Sequence, residues 1–332
     1  MSSSDTPPQT DPAQPGTKHS PVEYICEPVL GTWSYDRKDF GGQEDETSVG
    51  AIRTAYDGGI RKIDTAYSYG NGHSETLLAR ALGRNLECCF VATKLGPKGK
   101  EANFTRGIEA SLRRLGLDRI DLFYLHWPSS RIDLRPSLDA LGQARERDLV
   151  RYIGVCNCAA PLIAELHAHV PLDAVQDGYN LLWRKPEGGV IDFCRERGIG
   201  FEAYSPLAQG ILVKPAPGPG NYAPEDTRRN LLFFSPPVYS AVRQAVAEVR
   251  NIAETWGISP RTAAYGWLTS RHRISSVVLG FRNPRQVEEG LAAYSAPLPP
   301  GALRELDRTS DALRAVIDSA FPGYRNFFGY EP

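Results

Sequence analysis

Short, continuous apolar runs recur along this chain, and the stretches between them carry apolar residues at helical spacing. The runs fall at 60–63, 90–93, 120–125, 152–156, 174–176, 200–204 and 276–279, with a weaker one at 28–30. Most are separated by ~30 residues, the length of a strand–helix–strand unit. They do not alternate apolar with polar, as expected of parallel strands covered on both faces. Val49, Ile52 and Tyr56 then mark a helix stopped by Gly58-Gly59. Ser74 reads as the N-cap of a helix over 75–82 that ends at Gly83, and Phe104, Ile108, Leu112 and Leu115 stripe a helix ending at Gly116. Further helices are predicted at 138–147, 161–167, 190–197, 238–256, 261–270 and 303–307.

Eight strands alternating with helices predict a parallel α/β fold, either a (β/α)8 barrel or a doubly wound sheet. The first strand is not followed by Gly-x-Gly-x-x-Gly, the dinucleotide fingerprint of the doubly wound rival. Polar residues close many consecutive runs, which fits a barrel better. Residues 1–20 lack large apolar side chains almost entirely and are expected to be disordered, leaving 21–332 as one domain without an internal linker. One connection breaks the rhythm. Residues 214–237 are rich in Pro and Gly and irregular, and read as a lid or binding loop, with a plain insertion as the alternative.

Composition narrows the function classes. The net charge is −1 with both signs interspersed, so neither a nucleic-acid stripe nor a charged docking tail is expected. No apolar run is long enough to span a bilayer and no secretory leader is evident, so a cytoplasmic protein is expected. The six cysteines (Cys26, Cys88, Cys89, Cys156, Cys158 and Cys194) are scattered and read as reduced core residues. Cys156-Asn157-Cys158 lacks zinc spacing, and no metal site is expected.

The chemistry lies at the ends of the runs. Lys62-Ile63-Asp64 leads into Tyr69, Phe90 to Thr93 ends on Lys94, and Phe123-Tyr124-Leu125 ends on His126. Reduction of a carbonyl by hydride needs a proton donor for the forming alkoxide. A tyrosine phenol is a reluctant acid, titrating near ~10 when free. A lysine ammonium beside it eases proton release, a carboxylate holds the lysine charged, and a histidine orients the carbonyl oxygen. Asp64, Tyr69, Lys94 and His126 supply these four groups.

At these residues the chain resembles the aldo-keto reductase superfamily, over roughly residues 28–307. The matching segments, in the family's order, include Gly31-Thr32-Trp33, Asp64-Thr65-Ala66-Tyr67-Ser68-Tyr69-Gly70, Thr93-Lys94, Leu125-His126-Trp127-Pro128, Gly154-Val155-Cys156-Asn157, Gln176 with Tyr179-Asn180, Tyr204-Ser205-Pro206-Leu207 and Gly280-Phe281-Arg282. The wording is most similar to the branch of potassium-channel β-subunits and bacterial sugar-ketone reductases. The resemblance implies a (β/α)8 barrel, a tetrad of Asp64, Tyr69, Lys94 and His126 with Tyr69 as general acid, and an aldehyde or ketone, such as a keto-sugar or natural-product carbonyl, as substrate.

It also implies NADPH, with NADH second. Asn157 and Gln176 would hold the nicotinamide carboxamide, Tyr204 would stack on its ring, and Trp33 and Asp64 would border it. Ser205, Leu207, Gln209 and Gly210 would line the pyrophosphate, Gly280 and Arg282 a phosphate site, and Gln286 and Glu289 the adenine. Arg282 would grip a 2′-phosphate. Trp33, Tyr35, Trp127 and Trp183, with Tyr179, are candidate substrate walls, and residues 321–328 could fold over the mouth. Three residues depart from the pattern: Cys156 in place of Ser, Gly290 in place of Asn, and His73 in place of an acidic residue. An NADPH-binding regulatory or docking subunit with slow turnover is the alternative, as is, more remotely, a metal-dependent barrel hydrolase. A homo-oligomer is compatible with either.

Overall fold

The apolar runs form eight strands: β1 (Glu27–Gly31), β2 (Lys62–Asp64), β3 (Phe90–Leu95), β4 (Ile120–Leu125), β5 (Val150–Cys156), β6 (Ala174–Gly178), β7 (Gly200–Tyr204) and β8 (Ser276–Gly280). Each pairs in parallel with its successor, and β1 pairs with β8 from Glu27 opposite Ser276 to Gly31 opposite Gly280, closing a barrel. The computed structural model describes residues 26–36, 39–214, 218–224, 226–271 and 274–329. The expected disordered tail, residues 1–20, lies outside the described residues.

Helices follow the strands: α1 (Asp45–Asp57), α2 (His73–Leu82), α3 (Glu101–Leu115), α4 (Arg135–Glu146), α5 (Ala160–His169), α6 (Val190–Arg197), α7 (Pro236–Thr255) and α8 (Pro260–Thr269) before β8, then α9 (Pro284–Ser295) and α10 (Pro300–Ala320). The last is far longer than the 303–307 expected. Its buried face continues through Ser310, Leu313 and Ile317, and the small Ser310 masks that stripe in the sequence. Ser74 is not the cap of α2; Gly72 is. The Ser74 hydroxyl is instead buried and donates to Thr32 Oγ1 at 2.7 Å, tying α2 to the end of β1.

Strand alternation divides the side chains into two sets. One set faces the helices and builds the large outer core with Ile63, Val91, Phe123, Val155, Val175 and Phe201. The other points into the barrel, where Phe90, Ala92, Leu122, Tyr124, Cys156 and Ala174 form a separate cluster. Gly154 makes room for it, because a Cβ there would lie 2.4 Å from the Tyr124 ring. The inward set also carries Lys62, Asp64, Lys94, Gln176, Glu202 and Ser276, all buried. A barrel interior is a packed core, and here part of that packing is polar.

Candidate active site

The C-terminal ends of β2, β3 and β4 bring four of the expected residues together. Asp64 ends β2, Lys94 lies one residue before the end of β3, His126 follows β4, and Tyr69 sits in the turn before α2. Lys94 Nζ donates to Asp64 Oδ1 at 2.6 Å, to the Thr65 carbonyl at 2.9 Å and to the Tyr69 hydroxyl at 3.3 Å. The Tyr69 and His126 rings meet edge-on with centroids 6.0 Å apart. His126 Nδ1 lies 3.3 Å from the Ser68 hydroxyl. A hydroxyl donating to Nδ1 leaves Nε2 as the ring's N–H donor.

Burial sets the protonation of this group. It raises the Tyr69 phenol against the pull of Lys94, so the expected downward shift is outweighed and the phenol keeps its proton. Burial alone would lower Lys94, but the Asp64 carboxylate outweighs it and holds the ammonium charged. Burial, followed by the Lys94 charge, puts His126 well below the usual imidazole value, so the ring is neutral. Asp64 is pushed up by burial, with Lys94 opposing and the Glu202 carboxylate adding to the push.

The tetrad opens on a cavity of about 1050 Å³. Tyr69, His126 and Asp64 border it, as do Trp33, Trp127, Asn157, Gln176, Tyr204, Ser205, Leu207, Gln209, Gly210, Gly280, Arg282 and Gln286. Trp33 packs edge-on against Phe328 and Phe40, and Trp127 against Phe328. Arg228, Arg261, Arg282 and Gln286 also line the cavity; Arg228 lies 4.3 Å over the Phe40 ring and is paired with Asp226, and Arg261 is paired with Glu289. Burial and the neighbouring Arg228 guanidinium lower Arg282's pKa, with the Asp226 carboxylate opposing. Its Nη2 is held by the Gly42 carbonyl at 2.5 Å. The turn after β7, which contributes Ser205, Gln209 and Gly210 to the lining, puts Ser205, Ala208, Gln209 and Gly210 at positive φ, from 48° to 87°.

A model described as "Aldo/keto reductase family" matches residues 29–311. The chain belongs to the aldo/keto reductase family. It is 28% identical over 300 residues to the Schizosaccharomyces pombe aldo-keto reductase yakc [NADP(+)], covering 85% of this chain and 88% of that one. It is equally 28% identical over 309 residues to an Escherichia coli NADH-specific methylglyoxal reductase, covering 86% and 94%. Among solved structures, a glycerol dehydrogenase from Gluconobacter oxydans superposes with a TM-score of 0.73 at 27% identity, covering 89% and 92%. This aldo-keto reductase is therefore an oxidoreductase of carbonyl chemistry on a (β/α)8 barrel.

Several expected wall residues lie elsewhere. Tyr35 is 1% exposed and does not line the cavity. A three-residue 3-10 turn over Trp33–Tyr35 follows β1, and at about 120° per residue it turns Tyr35 away from the side that Trp33 occupies. Trp183 is also 1% exposed, wedged edge-on between Phe233 and Phe327. A tight loop, closed by Asn180 and Trp183 exchanging backbone hydrogen bonds at 3.1 and 3.0 Å, folds it inward. Tyr179 packs on Trp267 and donates to Glu187 at 2.6 Å. Glu289 stays outside the cavity lining, where it accepts from Arg261 at 3.3 Å.

The departures from the family pattern have physical explanations. Gly290 is required by packing, because a Cβ there would lie 2.2 Å from the Phe281 ring. His73 Nε2 lies 2.9 Å from Asp45 Oδ1 and links α2 to α1. Cys156 Sγ is 4.0 Å from Gln176 Oε1, a weak contact.

Sequence reasoning missed Asn326. It is buried, and its amide donates to Asn157 Oδ1 at 3.0 Å and to the Tyr204 hydroxyl at 2.7 Å. Tyr204 in turn donates to Asn157 Oδ1 at 2.7 Å. The tail that carries Asn326 is further held by Tyr324, which donates to Asp177, and by Phe327, whose ring occupies the space a Cβ on Gly178 would need. The only sequence signal was the aromatic run 321–328. Arg228 and Arg261 gave none, because a solvated arginine and a cavity arginine read alike in sequence. Among the described residues no three His, Cys, Asp or Glu side chains converge as a metal site, and no helix is long and apolar enough to cross a membrane.

Proposed function

We propose that this chain reduces an aldehyde or ketone to an alcohol with NADPH in preference to NADH, with Tyr69 as general acid. The observation that carries the reading is the Asp64–Lys94–Tyr69 chain of contacts at 2.6 and 3.3 Å beside a neutral His126, at the wall of a cavity lined by both aromatic rings and arginines. The residues present fit a dinucleotide. Arginines, a turn with positive φ, the side-chain amides of Asn157 and Gln176, and the Tyr204 ring line the cavity with the tetrad. When bound, the cofactor supplies the hydride.

The protein's residues do the rest. Asn157 and Gln176 would hold the carboxamide, and Tyr204 would stack on the nicotinamide ring. Arg282 would take the phosphate charge. The cavity beside Trp33 and Trp127 receives the carbonyl compound, so that its oxygen meets the Tyr69 hydroxyl and His126 Nε2. Tyr69 releases its proton to the forming alkoxide, and Lys94 stabilises the phenolate left behind. Asp64 keeps Lys94 charged and in place.

The test is Tyr69→Phe beside wild type, following NADPH consumption across aldehydes, aryl ketones, dicarbonyls and keto-sugars. Turnover is expected to fall by a factor on the order of 10²–10⁴, with NADPH affinity within about twofold, since a phenol that acts only in the transition state adds little to ground-state binding. Undiminished turnover in the variant overturns the mechanism. Tight stoichiometric NADPH binding without turnover by wild type on any of these carbonyls would favour the regulatory-subunit reading.

A further inference from the structure

Below the tetrad lies a second buried ion pair that the proton-transfer scheme does not use. Glu202 Oε1 lies 3.3 Å from Lys62 Nζ, and both side chains are at most 5% exposed. Ser276 Oγ donates to Glu202 Oε1 at 2.7 Å and accepts from Lys62 Nζ at 3.0 Å. Tyr124 donates to Glu202 Oε2 at 3.2 Å. One amide joins this pair to the tetrad. Gln176 Nε2 donates to Asp64 Oδ2 at 2.7 Å and also to Glu202 Oε2.

An amide nitrogen has two hydrogens, and here each faces a carboxylate. The flipped amide would set its oxygen against two acceptors in a buried site, at a cost that excludes it. Gln176 Oε1 is thereby the group left for the cavity, and its partner among the described residues is the Cys156 thiol at 4.0 Å. Two cations and two anions stand in series, Lys94–Asp64 and Lys62–Glu202, so the interior is neutral. Without Lys62, Glu202 would be a buried, uncompensated anion, one amide away from Asp64.

We propose that Glu202 and Lys62 are positioning residues for hydride transfer: Glu202 fixes the Gln176 amide with its oxygen toward the cavity, and Lys62 balances the charge that Glu202 brings into the barrel. The proposal rests on the reading of Gln176 as a carboxamide contact, and it adds the identity of the accepted hydrogen. The fixed oxygen takes the amino hydrogen of the carboxamide.

The experiment compares the affinity of NADPH with that of its acetylpyridine analogue, in which a methyl group replaces the carboxamide amino group. In the charge-balanced variant Lys62→Met/Glu202→Met, Gln176 loses one acceptor and can turn. NADPH is expected to bind about five- to tenfold more weakly, the effect of one hydrogen bond, while the analogue is unchanged. Lys62→Met/Glu202→Gln restores an acceptor without a charge and should restore NADPH affinity. Wild-type NADPH affinity in the Met–Met variant, or an equal loss for both cofactors, overturns the proposal.

Gln176→Met separates the two layers of the argument. If it distinguishes the cofactors while the Met–Met variant does not, the proposal falls and the carboxamide reading stands. If it does not distinguish them, both fall. Should the Met–Met variant not fold, the unmutated protein carries the test. The two side-chain amide protons of Gln176 should then show separate nuclear resonance signals, protected from solvent exchange, and exchange as fast as that of an exposed glutamine overturns the proposal.

Discussion

The floor of the cavity is borne on strands and its rim on loops, and the same kinds of side chain fare differently in the two places. On the floor, Asp64, Lys94, Gln176 and Glu202 are each placed by strand alternation and by barrel register, and each meets a partner from another strand. On the rim, Trp33 and Trp127 reach the cavity while Tyr35 and Trp183 turn into the core. A strand offers a side chain two directions and the barrel chooses one. A loop offers many, and packing chooses among them.

The largest effect that sharpens this contrast separates the two rim tryptophans. Trp183→Ala removes a core side chain and is expected to cost about 3–5 kcal/mol of stability, read as a lowered Tm, with the carbonyl KM little changed. Trp127→Ala should do the reverse, raising KM with a small change in Tm. A KM effect from Trp183 as large as that from Trp127 would break the assignment of walls and core. Next comes Arg282→Ala, expected to weaken NADPH about ten- to hundredfold through lost charge-assisted contacts, and NADH about twofold or less. Equal losses would remove Arg282 from the 2′-phosphate.

A further test concerns the seam where rim meets floor. Asp177, on β6, is pushed up to about 8 by burial, against hydrogen bonds from the Gly178 N–H and Asn326. An unfolded aspartate titrates near ~3.9. Between those values the folded protein holds a proton that the unfolded chain has released, so stability falls as pH rises through the window. Thermal melts of wild type from pH 4 to 8 should therefore slope downward relative to Asp177→Asn, which lacks this titration. Parallel slopes would show that Asp177 ionises freely and that the tail seam is wetter than its hydrogen bonds indicate.

What was legible in the sequence follows the same division. The barrel, its eight strands and the tetrad were all readable, because a polar residue closing an apolar strand is conspicuous and several strands had to agree. Lys62 and Glu202 lay in those same strands, yet neither signalled a partner, since their meeting depends on barrel closure bringing β7 and β8 beside β1 and β2. Tyr35 and Trp183 misled because aromatic character gives no direction in a 3-10 turn or a tight loop. Asn326 was invisible for the opposite reason: a single small amide in an aromatic tail carries no pattern, and its role exists only where the tail meets Asn157 and Tyr204.

The balanced charges inside the barrel bear on how the chain assembles. Residues up to the end of β4 contribute Lys62 and Lys94 but only Asp64 in return, and residues from β5 onward contribute Glu202 alone. Either half-barrel would carry an unneutralised charge on the surface it needs to bury. The chain is thereby discouraged from settling as two independently stable halves, and co-expressed fragments divided between β4 and β5 should be individually unfolded and recover structure only as a complementing pair.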